Sequence, residues 1–420
     1  MKTNKKRQWW IAAGMSVAMM TLVACSDDND SSGNTSNELR EIELTEAEEQ
    51  IAVKNVDFAF NLLAKADECL DENSRILLSP MSASLGLSMV ANGAAGETKQ
   101  EILDALGFEN LSLEAMNDYN RKLVKQLTAL DKTVTISMAN SVWMNGDFTT
   151  LPDFAHRLEE YYEAGCTALD FSQSGAREAI NDWCADKTNG RITDMVDQLG
   201  IETRILLLNA LYFKGKWKYP FDEKETGRGV FTTTSGVQQT VDFMHAQRRC
   251  LYAANEHLSM AEFSYGNDAY RLAVLLPERG VSLSDCMTGL SGTEWLALHE
   301  TAGFKLLDVR LPKFELKCKE NLNETLQALG MEQAFNDRLA DFSNLSNESL
   351  CISTVKQSNF ISINEQGAEA ASVTQSGMIA TDSSTAMDSP IEFHADRPFL
   401  FLIVENSTRT ILFLGKIAAM

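Results

Sequence analysis

Asn364-Glu365-Gln366-Gly367-Ala368-Glu369-Ala370-Ala371-Ser372-Val373-Thr374-Gln375-Ser376 is the stretch on which the reading of this 420-residue chain turns. An acidic residue and a glycine lead into small side chains with no proline. A polar run follows, and the chain turns apolar at Arg397-Pro398-Phe399-Leu400-Phe401-Leu402-Ile403. Small side chains in an extended segment suit a backbone that must slide into a tight space, with glycine as a pivot of low steric cost. The plainer alternative is a flexible surface loop, and motifs elsewhere in the chain decide between the two.

The N-terminus is a separate matter. Lys2, Lys5, Lys6 and Arg7 precede an apolar run from Trp9 to Val23, the order of a secretory signal and too short for an ordinary spanning helix. It ends Leu22-Val23-Ala24-Cys25, which resembles a bacterial lipobox, so residues 1–24 are expected to be removed and Cys25 to carry lipid. An ordinary secretory signal with a chance cysteine is the alternative. Ser26-Asp27-Asp28-Asn29-Asp30 and the polar residues after them bury too little to fold, so 25–44 reads as a disordered acidic tether. The serine and acids also resemble a surface-export signal of some Gram-negative lipoproteins; a solvated linker explains them equally. The expected place is a lipid-anchored, surface-exposed position on a bacterial outer membrane, or otherwise a secreted or periplasmic one.

Net charge is −22, and −26 without residues 1–24, because four positive and no acidic residues are lost. So acidic a body argues against a nucleic-acid partner, which needs a basic patch. Setting Cys25 aside leaves seven scattered cysteines with no C-x-x-C pair, which disfavours a zinc knuckle and a complete disulfide framework and suggests mostly buried thiols. No metal or other cofactor is expected. Without an internal repeat or a Pro/Gly linker beyond about residue 45, residues 45–420 read as one large domain.

Ser79-Pro80 has the chemistry of an N-cap followed by the first helical residue, and Asn92-Gly93 ends that helix. Thr98 and Glu101 have capping-box spacing, and Gly107 is a natural stop. Ile205–Phe213 is apolar apart from Asn209, as in a strand buried on both faces. Arg271–Leu276 reads as a strand stopped by Pro277, and Pro398–Glu405 pairs with Thr410–Ile417 across a short turn.

Several of these segments together resemble one family. Leu78-Ser79-Pro80-Met81-Ser82, Gly93-Ala94-Ala95-Gly96-Glu97-Thr98, Thr188-Asn189-Gly190-Arg191-Ile192, Asn209–Trp217, the stretch 364–376 and Phe393–Ile403 are similar to serpin motifs, spread over residues 45–420. The resemblance implies an α+β serpin fold: three β-sheets, eight or nine helices and a reactive-centre loop at about 365–397. It implies a monomer that is no enzyme but a suicide inhibitor. The target protease attacks the loop and forms an acyl-enzyme, and the cut loop enters the main sheet as a new strand. The protease is thereby distorted before it can deacylate, and a metastable native state drives the process.

The resemblance also implies roles. Glu365 and Lys313 form an ion pair at the top of the sheet, beside the breach residue Trp217. Gly367, Ala368, Ala370, Ala371 and Ser372 form the hinge, and the small residues there mark the inhibitory kind. Ser79, Ser82 and Asn209 form the shutter. Gln357 departs from the histidine usual in the family, which should alter the pH dependence of that network. Counting from Glu365 places the cut at Thr381-Asp382, with Ala380 as a neighbouring choice; counting back from Pro398 places it after Met387. An inserted strand of 16 residues would span about 53 Å, and slack before the cut would let the protease escape. The hinge count is therefore preferred.

No lysine or arginine lies between Glu365 and Arg397, which disfavours trypsin-like targets. Elastase-like and subtilisin-like serine proteases are favoured, and papain-like cysteine proteases are possible. The rival readings are a hydrolase, for which the five histidines offer no motif context, and a non-inhibitory serpin acting as a surface binding protein.

Overall fold

The 352–364 strand is the axis of the molecule. Its alternate residues Gln357, Asn359, Ile361 and Ile363 are all buried on one face, and it has a strand on either side. The computed structural model describes residues 37–70, 74–146, 148–200, 202–368 and 389–420. Cys25, Asp27, Asp28 and Asp30, the hinge residues Ala370, Ala371 and Ser372, and Ala380, Thr381, Asp382 and Met387 lie outside the described residues.

Six strands form the sheet that contains this axis. In order they are Phe314–Asn321, Ile352–Asn364, Gly367–Ala368, Ile205–Lys216, Val134–Asn145 and Cys166–Leu169. Ile352–Asn364 pairs antiparallel with Phe314–Asn321 and parallel with Ile205–Lys216, from Ile352 opposite Ile205 to Phe360 opposite Tyr212. Ile205–Phe213 is buried throughout, as its apolar run requires. Leu207, Leu211 and Phe213 enter the main core, whereas Leu206, Leu208 and Ala210 pack on the opposite face against Ile180 and Cys184 of the helix Ala176–Lys187.

Nine strands form the second hydrogen-bonded sheet. Ile76–Leu78, Ile411–Ile417, Phe399–Glu405, Tyr270–Pro277, Leu258–Tyr265, Gln238–Ala254, Gly303–Pro312 and Ile391–His394 follow one another, and Gly227–Thr232 pairs with Gln238–Ala254. The long Gln238–Ala254 strand changes neighbours along its length. It thereby joins two ladders by hydrogen bonds, and the three-sheet expectation counts those two ladders separately. Nine α-helices accompany the sheets among the described residues.

Local chemistry explains most boundaries. Ser79 caps the helix Pro80–Gly93, its Oγ accepting from Ser82 N–H, with Pro80 at the first position. The helix Gly96–Ala105 corrects the capping-box expectation. It starts at Gly96 with Ala95 as its uncapped N-cap, so Thr98 lies inside it. Thr98 Oγ1 instead accepts from Asp341 N–H at 3.0 Å, and Glu101 accepts from Gln333 N–H at 2.7 Å. Tertiary backbone donors took those two side chains from the local cap.

The tether boundary also changes. Asn37–Met420 forms one unit. Within it, residues 37–44 lie docked on the body instead of forming a disordered tether. Ile42 is buried, its N–H donates to Ser407 Oγ at 2.9 Å, and Asn37 Nδ2 donates to Asp131 Oδ1 at 2.8 Å. Two apolar side chains, Ile42 and the half-buried Leu44, outweigh the acidic composition once a groove is present. The seven cysteines are free; Cys184, Cys250 and Cys286 are buried, three are half-buried and Cys69 is exposed. No described helix is long and apolar enough to cross a membrane.

Candidate functional site: the hinge, the latch and the seam

The strands 352–364 and 205–216 pair only as far as Phe360 and Tyr212. Above that point Gly367 and Ala368 lie between them. Ala368 is opposite Ile363 on one side and Gly215 on the other; Gly367 is opposite Asn364 and Lys216. Both pairings are antiparallel, so two hinge residues already form the head of an additional strand. Ala368 has no exposed surface. Gly367 has φ +140, and a Cβ there would lie 2.1 Å from the Gly215 carbonyl oxygen. Conformation and space both require glycine at this pivot.

The preceding turn is held from three directions. Trp217 N–H donates to Gln366 O at 2.9 Å, and its indole Nε1 donates to Asn364 O at 2.8 Å. Phe221 N–H donates to Glu365 O at 2.9 Å. Trp217 is fixed in turn by stacking on Tyr265, with ring centroids 4.4 Å apart. The Glu365 carboxylate accepts from Lys313 Nζ at 3.0 Å and Thr226 Oγ1 at 2.8 Å on the same oxygen. The structure thus brings Glu365, Lys313, Trp217, Gly367 and Ala368 together.

Burial alone would raise the Glu365 pKa. The hydrogen bonds from its own backbone N–H, Thr226 and Lys313, with the charge of Lys313, outweigh that and lower it below the usual carboxylate value. The sign follows from a depressed folded-state pKa. The latch contributes stability above the unfolded value of about 4.3, and this contribution is lost as pH falls through the lower folded value. Lys313 is partly exposed, so Glu365→Gln is expected to cost only about 1 kcal/mol. The check is hydrogen exchange at residues 365–368. Protection should weaken below the ordinary carboxylate range in the parent and be weak already at neutral pH in the variant. Equal protection in both proteins would remove the latch.

Further down the seam, Gln357 is opposite Asn209, and both are fully buried. Gln357 Oε1 accepts from Ser79 N–H at 2.8 Å, and its Nε2 donates to Ser79 O at 2.8 Å. Ser82 Oγ and Asn209 Nδ2 both donate to Asn140 Oδ1, at 2.7 and 3.0 Å. The structure thus brings Ser79, Ser82, Asn209 and Gln357 together. Asn140, Asn359 and Gly86 complete the group and were not foreseen. Asn359 Nδ2 donates to Gln357 Oε1 at 2.9 Å, and a Cβ at Gly86 would lie 2.5 Å from Asn209 Nδ2. Asn140 was detectable only through register, since it lies opposite Asn209 on the adjacent strand. A Gln357→Leu change would strand Ser79 N–H, Ser79 C=O and an Asn359 donor in the interior. The expected loss is about 3 kcal/mol, read as a lowered denaturant midpoint; a loss near zero would deny the network its role.

A charged strap crosses the front of the seam. Asp194 and Asp197 follow the Ala176–Lys187 helix; Asp194 pairs with Lys317 at 3.2 Å and Asp197 with Lys319 at 2.8 Å. Lys356, on the 352–364 strand itself, lies 3.7 Å from Asp197. Among the described residues no cluster could hold a metal ion.

The family model described as serpin (serine protease inhibitor) matches residues 53–420. Serpin B8 of Homo sapiens is 33% identical over 87% of this chain and 98% of its own length. A serine protease inhibitor of Cyanea capillata is 31% identical over 82% of this chain and 92% of its own length. Among solved structures, the thermophilic serpin tengpin in its native state has a TM-score of 0.82 at 30% identity, covering 92% of this chain and 97% of its own. Human thyroxine-binding globulin in complex with thyroxine has a TM-score of 0.81 at 26% identity, covering 89% and 99%. The chain belongs to the serpin family. Where the sequence alone implied only that the chain is no enzyme, the matched family carries the description of serine protease inhibitors.

Proposed function

We propose that this protein traps serine proteases by inserting its cleaved loop between the strands 352–364 and 205–216. The observation that carries the proposal is the pairing of Gly367 and Ala368 with both strands at the head of that seam. Continuing those two registers defines the rest of the insertion. Six residues below Ile363 is Gln357, six below Gly215 is Asn209, and six beyond Ala368 is Thr374. Gln357 and Asn209 are already opposite each other, so Thr374 would separate them at the centre of the shutter.

At the foot of the seam, Ile379 would fall opposite Ile352 and Met378 opposite Ile205. That one-residue offset matches the register shift between Ile352 and Thr354. A cut after Thr381 would leave two residues beyond the flanking strands, and a cut after Met387 would leave eight. The shorter overhang pulls the acyl-enzyme hard against the end of the sheet, which favours Thr381-Asp382 or the adjacent Ala380 as the reactive bond.

Directly paired residues share a face of a sheet. Ala368, Ala370, Ser372 and Thr374 would therefore face the buried side with Ile363, Ile361, Asn359 and Gln357. Glu369 would face the other side, beside the half-exposed Ser362 and Lys214. The small neutral residues thus stand where space is scarce and the carboxylate where it is not. Because no basic residue lies between Glu365 and Arg397, elastase-like and subtilisin-like enzymes are the expected targets. The lipobox-like Leu22–Cys25 supports a lipid-anchored inhibitor at a bacterial outer membrane. Palmitate labelling that survives in a Cys25→Ser variant would exclude that anchor. Incubation with elastase tests the trapping reaction itself: a boiling-resistant adduct supports it, and complete cleavage without an adduct counts against it.

A further inference from the structure

Beside the hinge latch lies a cavity of about 120 Å³, walled by the strands 238–254 and 258–265 and by the chain just after Trp217. Its charge is opposite to that of the molecule. The chain carries 59 acidic against 37 basic residues, yet this wall presents Lys218, Arg248, Arg249 and Arg271 against only Glu262 and Asp268. Lys218 is paired with Asp268, and Arg271 Nη1 lies 3.1 Å from Glu262 Oε2. The second oxygen of Glu262 is engaged by His299 Nδ1 at 2.7 Å.

Arg248 and Arg249 form no ion pair among the described residues. The Arg248 guanidinium lies 3.8 Å above the Phe221 ring, and its Nη1 donates to Tyr219 O at 2.5 Å. Its Nη2 is buried and has no acceptor among the described residues; the same holds for Arg271 Nε. Buried donors are nearly always matched. Two unmatched guanidinium nitrogens on residues of one cavity wall therefore point to an acceptor that completes the site. The remaining wall includes the aromatic rings of Phe263 and Phe304, the latter 65% exposed.

We propose that this cavity binds a small organic anion with a flat apolar body, its acid group held by Arg248 and Arg271 and its body against Phe263 and Phe304. A guanidinium is the natural partner of a carboxylate, sulfonate or phosphate, because its planar donors meet two oxygens at once. An aromatic wall rewards a flat apolar ligand over a fully hydrated inorganic ion. The site is also mechanically close to the hinge, since Phe221 N–H donates to Glu365 O and Trp217 lines the cavity.

The test uses the intact, uncut protein with no protease present, so its outcome is independent of loop trapping. The anionic probe 8-anilinonaphthalene-1-sulfonate is titrated and its fluorescence followed. One saturable site is expected, with affinity at least about tenfold weaker for the uncharged N-phenyl-1-naphthylamine and about tenfold weaker in Arg248→Met. Phe304→Ser, a change at an exposed position, is expected to weaken the probe by roughly fivefold and serves should Arg248→Met not fold. No saturation up to about millimolar probe would mean that water alone completes the site, and would overturn the proposal. Equal binding of the uncharged analogue, or unchanged affinity in both variants, would overturn it as well.

Discussion

An Ala368→Arg variant is expected to be cut by its target protease and to hold none of it. Ala368 is fully buried between Ile363 and Gly215 before any cleavage occurs. An arginine there would have to bring an unpaired guanidinium into the core or keep the strand head out of the seam. Desolvating a charge costs several kcal/mol, and a barrier raised by 3–4 kcal/mol slows insertion by roughly 10²–10³-fold. Deacylation would then overtake insertion, and the protein would be consumed as a substrate. Glu369→Gln is the matched control. It alters the adjacent residue on the outer face and should change the ratio of trapped to cut protein by less than about threefold. Trapping by Ala368→Arg at the parental level would show that the loop does not enter at this position.

Cleavage of the loop is expected to make the protein more heat-stable. Residues 369 to 379 would each gain two strand neighbours at the seam where the strands 352–364 and 205–216 now pair directly with each other. About a dozen residues at about 1 kcal/mol each of net hydrogen bonding give on the order of 12 kcal/mol. With an unfolding entropy of roughly 2 cal/mol/K per residue over the folded unit, that corresponds to a rise of about 15 °C. Calorimetry on cut and uncut protein reads it directly. An unchanged midpoint after a verified single cut would mean that the loop stays outside, and a surface binding protein would then be the better description.

Much of this was legible in the sequence, and the exceptions have physical causes. Ser79-Pro80 announced its helix because capping is local chemistry, and both groups belong to one turn. The apolar run 205–213 announced a strand buried on both faces for the same reason. Thr98 misled because spacing cannot tell a side chain before the first turn from one inside it. Asp341, 243 residues away, took the bond that a local cap would have made. Ile42 was hidden for a related reason. Composition around it is acidic, and the groove that buries it includes Ser407 at the far end of the chain. The shutter was half visible: Ser79, Ser82 and Asn209 matched a motif and Gln357 stood out as its departure, but Asn140 and Asn359 acquire meaning only once register places them beside Asn209 and Gln357. The cationic cavity left no signal at all, since Arg248 and Arg271 lie on different strands.

Gln357 also bears on regulation. In the described shutter, hydroxyls, amides and backbone groups make every contact, with no histidine among them. Opening of the seam is therefore expected to take its acid sensitivity from the Glu365 latch at low pH, not from the shutter near neutrality.

The central claim is covalent trapping by loop insertion, and one incubation tests it most directly. The protein lacking residues 1–24 is mixed with pancreatic elastase, and separately with trypsin. The products are run on denaturing gels, and the released C-terminal peptide is sequenced. The account predicts a boiling-resistant adduct with elastase, none with trypsin, and a peptide that begins at Asp382 or the residue before it. Complete cleavage by elastase with no adduct, together with an unchanged melting temperature of the cut protein, would contradict it.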